Sequence, residues 1–182
     1  MSTRPSIAVV IPTHNRAQRV LRTLDSVFGQ EETAAEIIVV DDCSTDETQA
    51  VIEDLLAPHP ELRYIRHEVN QERAASRNTG MSRATADYVT FLDSDDIMYP
   101  QNLREAADFI VETDAKFFHN LAHLVDDTGR HIRNLGTPSL KNHLKALAFG
   151  NFLWPGVFVH RQIYTEYRFD TEPILTASED YE

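Results

Sequence analysis

The segment Tyr88–Asp96, with the sequence YVTFLDSDD, decides the fold of this chain. Its first five residues, Tyr88–Leu92, form an apolar run typical of a buried strand. Three carboxylates follow at once, at Asp93, Asp95 and Asp96. Open α/β sheets bind their ligands at the carboxyl ends of their strands, so this strand end predicts a site. Carboxylates this close repel one another unless a cation lies between them, and we therefore expect a divalent metal.

An alternation of strand and helix patterns surrounds that segment. The predicted strands are Ile7–Ile11, Glu36–Val40, Leu62–Ile65 and Tyr88–Leu92, and the predicted helices cover Arg16–Phe28, a stretch from a capping box at Ser44–Glu47 to Pro58, Gln71–Ala84 and Pro100–Thr113. Repeated strand–helix units predict an α/β fold, with a mostly parallel, Rossmann-like central sheet and helices on both faces.

The pattern is less regular after residue 113. Ala115–Val125 predicts a strand, Asp126–Gly129 a turn, and Arg130–Ile132 a return strand. A weak helix pattern over Leu140–Phe149 precedes an apolar, strand-like stretch over Phe152–Val159. We expect one domain over residues 1–182, with a regular half over 1–113 and a less regular half over 114–182.

Composition and charge exclude several classes of protein. A length of 182 residues with 42% hydrophobic and 25% charged residues is typical of one globular domain. The net charge of −12 argues against nucleic acid as the main partner. No window approaches 18 consecutive apolar residues, so we expect no transmembrane segment. Cys43 is the single cysteine, which indicates a reducing compartment. We expect a cytoplasmic protein, with peripheral association at the inner face of the membrane as the second option.

Polar residues follow three of the predicted strands. They occur at Pro12–Asn15, at Asp41 and Asp42, and at Asp93–Asp96. Parallel strands place their carboxyl ends along one edge, so these residues can converge on one crevice. Taken singly, Asp41 and Asp42 could be turn or cap residues, and the Asp93 cluster could cap the next helix. If no site were present, both of these structural interpretations would have to be correct at adjoining strand ends. A shared site is therefore the better interpretation.

The ordered motifs resemble those of family 2 glycosyltransferases, which are inverting enzymes with the GT-A fold. The matching segments are Pro12–Arg16, Asp41–Asp46, Arg77–Gly80, Phe91–Asp96 and Ser178–Tyr181. The resemblance implies a nucleotide-sugar-binding half over residues 1–113 and an acceptor-side half over residues 114–182. Relatives usually continue beyond this point with a further helix, so we expect the acceptor-side half to be incomplete.

The resemblance also implies roles for residues of the first two strand ends and of the third helix. Pro12, Thr13 and Asn15 match the loop that lines the nucleotide. Asp42 matches the acid that hydrogen-bonds the base, usually uracil. Arg77 matches a position beside the nucleotide, where it would screen the diphosphate or brace the following acids. Read from the sequence alone, Arg77 could instead form a surface ion pair.

The remaining roles implied by the resemblance fall on the acids. Asp93, Ser94 and Asp95 match the D-x-D motif of the family. Asp95 is the expected ligand of Mn²⁺ or Mg²⁺, and Asp93 is expected near the ribose and in the same metal site. For Asp96, which stands outside the D-x-D motif, we expect a supporting role beside the adjoining helix. Asp180 matches the catalytic base.

We therefore expect metal-assisted transfer of a sugar from a nucleoside-diphosphate sugar, most simply a UDP-sugar, to an acceptor hydroxyl with inversion. The acceptor would be a glycan, a lipid-linked molecule or another hydroxyl compound. One alternative is a catalytically silent sugar-nucleotide-binding domain, because the chain stops two residues after Asp180. The other is a metal-dependent phosphohydrolase, which would need a nucleophilic aspartate after the first strand, and Pro12–Asn15 contains none.

Four other side chains have simpler interpretations. His119 and His123 would share a face of a regular strand, but no third ligand has suitable spacing for a metal site. Cys43 has no neighbouring base in the sequence to activate it. Trp154 would either stack on a sugar ring or pack beneath the crevice.

Overall fold

The computed structural model describes residues 4–126, 128–135 and 156–172. The strands are β1 (Ile7–Thr13), β2 (Glu36–Asp41), β3 (Leu62–Arg66), β4 (Tyr88–Phe91), β5 (Phe117–His119), β6 (Ala122–Val125), β7 (His131–Leu135) and β8 (Val157–His160). The helices are α1 (Ala17–Phe28), α2 (Thr48–Leu56), α3 (Glu72–Arg83), α4 (Asn102–Thr113) and the short α5 (Arg161–Tyr164).

A six-stranded sheet with the order β3-β2-β1-β4-β8-β5 forms the centre of the molecule. β3, β2, β1 and β4 pair in parallel, whereas β8 is antiparallel to both of its neighbours, β4 and β5. From β1 the chain proceeds outward on one side to β2 and β3, and it then crosses back to form β4 on the other side of β1. The gap between the carboxyl ends of β1 and β4 is therefore a topological switch point, the usual ligand position in such sheets.

Helices cover both faces of this sheet. One core cluster packs the odd-numbered residues of β1 against apolar side chains of α1, α2 and α4, including Leu24, Ile52 and Leu103. The other packs Ala8 and Val10 of β1 against Met81 of α3 and Tyr164 of α5. Every residue of β1, β2 and β4 is buried, as strands covered on both faces require. The predicted α/β fold is confirmed.

Gly80 brings α3 unusually close to β1. A Cβ atom built on Gly80 would lie 2.2 Å from Cγ1 of Val10, a distance at which something must shift. Gly80 weakens the helix pattern in the sequence, and this contact explains its presence, because any larger residue would push α3 away from the sheet.

Three local predictions are wrong. Pro12 does not end the first strand: β1 continues to Thr13, where Pro12 pairs with Val40 of β2 while the pairing with β4 stops at Val10. Proline is tolerated there because only one side of β1 still has a partner. Ser44 and Glu47 do not form a capping box: the cap residue of α2 is Glu47, without a side-chain cap hydrogen bond, and Asp46 accepts from the backbone N–H of Thr48 at 3.0 Å.

The third concerns Ala115–Val125, which is not one strand. A break at Asn120 and Leu121 separates β5, in the main sheet, from β6, which pairs with β7 in a two-stranded sheet. The predicted turn and return strand are confirmed by the antiparallel β6–β7 pair, and the strand predicted near Val159 by β8. The helix predicted over residues 140–149 lies outside the described residues. None of the described helices combines the length and apolar character needed to cross a membrane.

Candidate active site

Residues from the carboxyl ends of β1, β2 and β4 meet at one edge of the sheet, as predicted. Thr13 and Asp41 are register partners, and the backbone N–H of Asp42 donates to the carbonyl of Thr13 at 2.8 Å. Leu92, just before the acid cluster, donates its N–H to the carbonyl of Val10 in β1 at 3.0 Å. The ends of the three strands are thus joined by backbone hydrogen bonds. These bonds fix how far each strand extends along the sheet, and so fix where its following side chains lie.

Asp42 is buried and joins β2 to the start of α3. Its Oδ1 accepts hydrogen bonds from Nδ1 of His67 at 2.8 Å and from the N–H of Gln71 at 2.9 Å, and its Oδ2 accepts from the N–H of Glu72 at 2.7 Å. Glu72 has a left-handed φ of 71°, a conformation that persists in a non-glycine residue only where its contacts hold it. Asp42 therefore anchors the N-terminus of α3 as well as lying at the strand edge.

His67 is part of this arrangement and was not predicted. The imidazole is buried, and because a carboxylate only accepts hydrogen bonds, Nδ1 of His67 donates to Asp42. Nε2 lies 2.9 Å from the hydroxyl of Thr79 in α3. His67 directly follows β3, so the strand-end rule that indicated Asp42 and Asp93 would also have indicated His67.

The loops after β1 and β2 are locked together by Asn15. Its backbone adopts a left-handed φ of 51°, and its Oδ1 accepts from the N–H of Thr45 at 2.7 Å. In return, the N–H of Asn15 donates to Oγ of Ser44 at 2.9 Å. Asp46 adds a link between the two helices that follow, since it accepts from Thr48 and from the N–H of Ala17. Burial opposes its ionisation, but these hydrogen bonds outweigh it and lower the pKa of Asp46.

The acids after β4 are paired with arginines. Nη2 of Arg77 in α3 lies 3.0 Å from Oδ1 of Asp93, a contact compatible with the predicted role of bracing the acids, which stays a prediction. Asp95 forms ion pairs with Arg16 and Arg19, the latter at 3.5 Å. Arg16 directly precedes α1 and Arg19 lies in its first turn, and neither was predicted as a site residue. They lie 76 and more residues from Asp95 in the sequence, and no local pattern joins them.

Asp96 differs from its two acidic neighbours because its side chain faces a poorly hydrated environment. Burial, with smaller contributions from the charges of Asp93 and Asp95, raises the pKa of Asp96 to about 6. Its backbone carbonyl accepts from the buried hydroxyl of Thr23 in α1 at 2.9 Å. This contact joins the backbone at Asp96 to α1, and the supporting role expected of the Asp96 side chain beside an adjoining helix stays a prediction.

The donor set of this edge fits a hard divalent cation that shares its coordination with a ligand. No group of three or more His, Cys, Asp or Glu side chains in the described ranges is arranged to hold a metal by itself. Asp93 and Asp95 are, however, partly accessible carboxylates at the strand edge. Mg²⁺ characteristically binds through one or two carboxylates together with phosphate oxygens and water, and these two acids match that pattern.

Four further residues discussed in the sequence analysis, Ser94, Thr13, Asp180 and Trp154, contribute no side chain to the hydrogen bonds and ion pairs given so far. Ser94 is buried directly between the two acids, and Thr13 is buried at the end of β1. Within the described residues, Oγ1 of Thr13 has no hydrogen-bond partner. Asp180 and Trp154 lie outside the described residues.

His119 and His123 do not share a strand face, because the break between β5 and β6 separates them. His119 contacts the carbonyl of Asn120, and His123 lies 3.1 Å from the hydroxyl of Tyr99. The thiol of Cys43 donates to the carbonyl of Glu68 at 3.3 Å. None of these contacts contradicts the simpler interpretation of the three residues.

The sheet order, the switch-point site and the strand-end acids define an α/β domain with a ligand site at the edge formed by β1, β2 and β4. The sequence profile described as "Glycosyl transferase family 2" matches residues 8–165. Because this match covers most of the chain, the chain belongs to glycosyl transferase family 2, and the family resemblance of its motifs is confirmed.

Individual relatives agree with this assignment. "Succinoglycan biosynthesis protein ExoO" of Rhizobium meliloti is 31% identical over 129 residues, which are 71% of this chain and 36% of that protein. The crystal structure of S. aureus TarS 1-349 in complex with UDP matches with a TM-score of 0.77 and 24% identity, over 96% of this chain and 52% of that one. The mannosyltransferase PcManGT from Pyrobaculum calidifontis, in complex with GDP-Man and Mn²⁺, has a TM-score of 0.58 and 25% identity, over 64% of this chain and 35% of that one.

The chain is short beside such relatives. Its matches span between 20% and 66% of the length of eight curated relatives.

Proposed function

We propose that this chain transfers a sugar from a UDP-sugar to the hydroxyl of a glycan acceptor, with inversion at the anomeric carbon. The observation that carries the proposal is the placement of Asp42 and the paired acids Asp93 and Asp95 along one sheet edge. In this arrangement residues 1–113 bind the donor, and residues 114–182 contribute the acceptor side.

Asp42 supports uracil as the base. A carboxylate offers about four lone-pair positions, and His67, Gln71 and Glu72 occupy three of them. One position remains for a further donor, such as the imide N–H of uracil. Pro12, Thr13 and Asn15 are proposed to line the nucleotide beside Asp42, because the end of β1 is joined to Asp42 by the hydrogen bond from the Asp42 N–H to the carbonyl of Thr13. A base bound here would leave its diphosphate near the end of β4.

Arg77, Asp93, Ser94 and Asp95 form the diphosphate end of the proposed site. Asp95, with Asp93, would hold Mn²⁺ or Mg²⁺, which neutralises the charge that develops on the leaving diphosphate. The Mn²⁺ in the complex of the mannosyltransferase supports this choice of cofactor. In the ligand-free protein, Arg16 and Arg19 form ion pairs with Asp95. A cation bound to Asp95 would release both guanidinium groups, which could then bind diphosphate oxygens.

Asp180 is the proposed catalytic base. The acceptor oxygen attacks the anomeric carbon from the face opposite the diphosphate, its proton passes to the carboxylate of Asp180, and the bond from carbon to the diphosphate oxygen breaks. An aspartate with an ordinary pKa near 3.9 is already ionised at neutral pH, so its contribution is to orient the acceptor rather than to supply strong basicity. The cytoplasm is the proposed location, which the single cysteine Cys43 supports.

The proposal is tested by incubating the protein with a panel of UDP-sugars, Mn²⁺ and short oligosaccharide acceptors. We expect acceptor-dependent release of UDP and a product whose anomeric configuration, measured by proton NMR, is opposite to that of the donor. The variant Asp180→Asn should lose transfer while it binds UDP as tightly as the wild type. UDP binding without transfer by any donor would indicate a silent binding domain, and absence of UDP binding with Mn²⁺ would refute the proposal.

A further inference from the structure

A segment from the C-terminal part of the described chain is fastened to α3 beside the candidate site. This anchor segment comprises residues 165–172. The side-chain amide of Asn78 forms a reciprocal pair with the backbone of Phe169: Nδ2 donates to the Phe169 carbonyl at 2.9 Å, and Oδ1 accepts from the Phe169 N–H at 2.8 Å. Both polar atoms of the amide thus bind the backbone of one residue, which lies 91 positions further along the chain.

The ring of Phe169 lies between two elements of the site. It packs in a T-shaped arrangement with the ring of Phe91, the last residue of β4, at a centroid distance of 5.2 Å and an interplanar angle of 84°. The guanidinium carbon of Arg77 lies 5.6 Å from the centroid of the same ring. Aromatic faces attract cations within about 6 Å, so Phe169 favours the position in which Arg77 also contacts Asp93.

We propose that Phe169 and Asn78 are positioning residues for Arg77, and that the anchor segment thereby contributes to the affinity for the donor diphosphate. This inference rests on the proposed function, because it assigns a ligand to the site that Arg77 faces. Arg77 is a long side chain with many rotamers, and it approaches Asp93 from the neighbouring helix. The ring of Phe169, whose backbone is held by the amide of Asn78, restricts those rotamers, and a preorganised guanidinium binds a diphosphate with less loss of entropy.

The attraction between cation and ring separates a positioning role from simple packing. Phe169→Leu keeps an apolar side chain but removes the aromatic face, whereas Phe169→Tyr keeps both. Tyr167 provides a matched control: it belongs to the same segment, it is 66% exposed, and none of the ring contacts among the described residues joins it to Arg77 or Phe91.

The first measurement needs no ligand. In ¹⁵N-labelled protein, the side-chain Nε–H signal of Arg77, assigned with Arg77→Lys, should be displaced by the ring current of Phe169. We expect Phe169→Leu to move this signal toward the range of exposed arginines, and Phe169→Tyr and Tyr167→Leu to leave it in place. Asn78→Ala should also move it, because the ring loses its backbone anchor, and this variant serves if Phe169→Leu does not fold.

The second measurement is calorimetry with UDP and with uridine, in the presence of Mn²⁺. Phe169→Leu should weaken UDP binding about two- to fivefold, the range expected for one cation–π contact at a partly exposed site, and leave uridine binding unchanged. Phe169→Tyr should restore UDP affinity. An equal effect of Phe169→Leu and Phe169→Tyr, equal losses for UDP and uridine, or an unmoved Arg77 signal would overturn the inference. If the wild type binds no UDP, the proposed function fails, while the NMR result still decides the positioning of Arg77.

Discussion

Replacing Asp96 with asparagine should stabilise the metal-free protein at neutral pH, because it removes a carboxylate that is charged in a poorly hydrated position. The pKa of Asp96 is about 6 in the folded protein and 3.8 for an ordinary aspartate. The two values are about two pKa units apart, and each unit corresponds to about 1.36 kcal/mol. Holding Asp96 ionised therefore costs the folded state about 3 kcal/mol.

The sign of this effect follows from the proton count. Between pH 3.8 and pH 6 the folded state binds more protons at this position than the unfolded state, so stability falls as the pH rises through this window. The full cost is present above pH 6 and absent below pH 3.8. Asp96→Asn carries no charge at any pH, so its advantage over the wild type should grow from near zero at pH 3.5 to about 3 kcal/mol at pH 7.

Urea unfolding followed by circular dichroism, with EDTA present, measures this difference at pH 3.5, 5 and 7. Asp25→Asn, which changes an exposed carboxylate of α1, is the control and should change the free energy of unfolding little at each pH. Adding Mn²⁺ and UDP should shrink the advantage of Asp96→Asn, because a cation beside Asp95 favours the charged form of Asp96. A stability difference that does not vary with pH, or an asparagine variant that is less stable at pH 7, would refute the reasoning.

Three further variants test the metal site, the close helix and the anchored aspartate. Asp95→Ala should abolish the Mn²⁺ dependence of UDP binding in calorimetry, and unchanged dependence would show that the metal ligand is elsewhere. Gly80→Ala should lower the free energy of unfolding by about 1–3 kcal/mol, because the new Cβ meets Cγ1 of Val10 at 2.2 Å. The double variant with Val10→Ala should be more stable than the sum of the single effects predicts, and strict additivity would contradict the contact. Asp42→Ala should cost about 3 kcal/mol in urea unfolding, because the buried imidazole of His67 and two partly buried backbone N–H groups lose their acceptor. A cost below about 1 kcal/mol would indicate that water replaces the carboxylate.

The strands and helices of residues 7–113 were predictable because each signal is local. Apolar runs such as Glu36–Val40 and the helical spacing of Val20, Leu24 and Val27 reflect burial by neighbouring elements, which the periodicity of the chain records directly. Pro12 was misjudged because the cost of a proline in a strand depends on whether both sides are paired, and that is a property of the sheet.

The capping box failed for a related reason. Ser44 and Glu47 have the correct spacing, but Ser44 accepts instead from the N–H of Asn15 in another loop. A tertiary contact thus competes with the local cap, and the first N–H of α2, that of Thr48, donates to Asp46 instead.

The site was predictable only where chemistry lies at a strand end. Asp42, Asp93 and Asp95 carry that signal and meet at one edge, whereas Arg16 and Phe169 reach the edge through the packing of helices and a distant segment. Nothing in the spacing of residues 77 and 169 indicates that they meet. Such contacts depend on three-dimensional packing, which a single sequence does not record.

The position of β8 has a consequence for how the domain is made. β8 is the neighbour of β4 in the finished sheet, yet it is synthesised long after β4, and its fully buried Phe158 completes the core beneath α4. On the ribosome, β1 to β4 emerge first and leave the backbone groups along one side of β4 without a strand partner. An open strand edge of this kind invites pairing with other chains until residues 157–160 arrive. Nascent chains arrested before Val157 should therefore be prone to aggregation, and those arrested beyond Tyr164, with room to clear the ribosomal tunnel, should become resistant to protease.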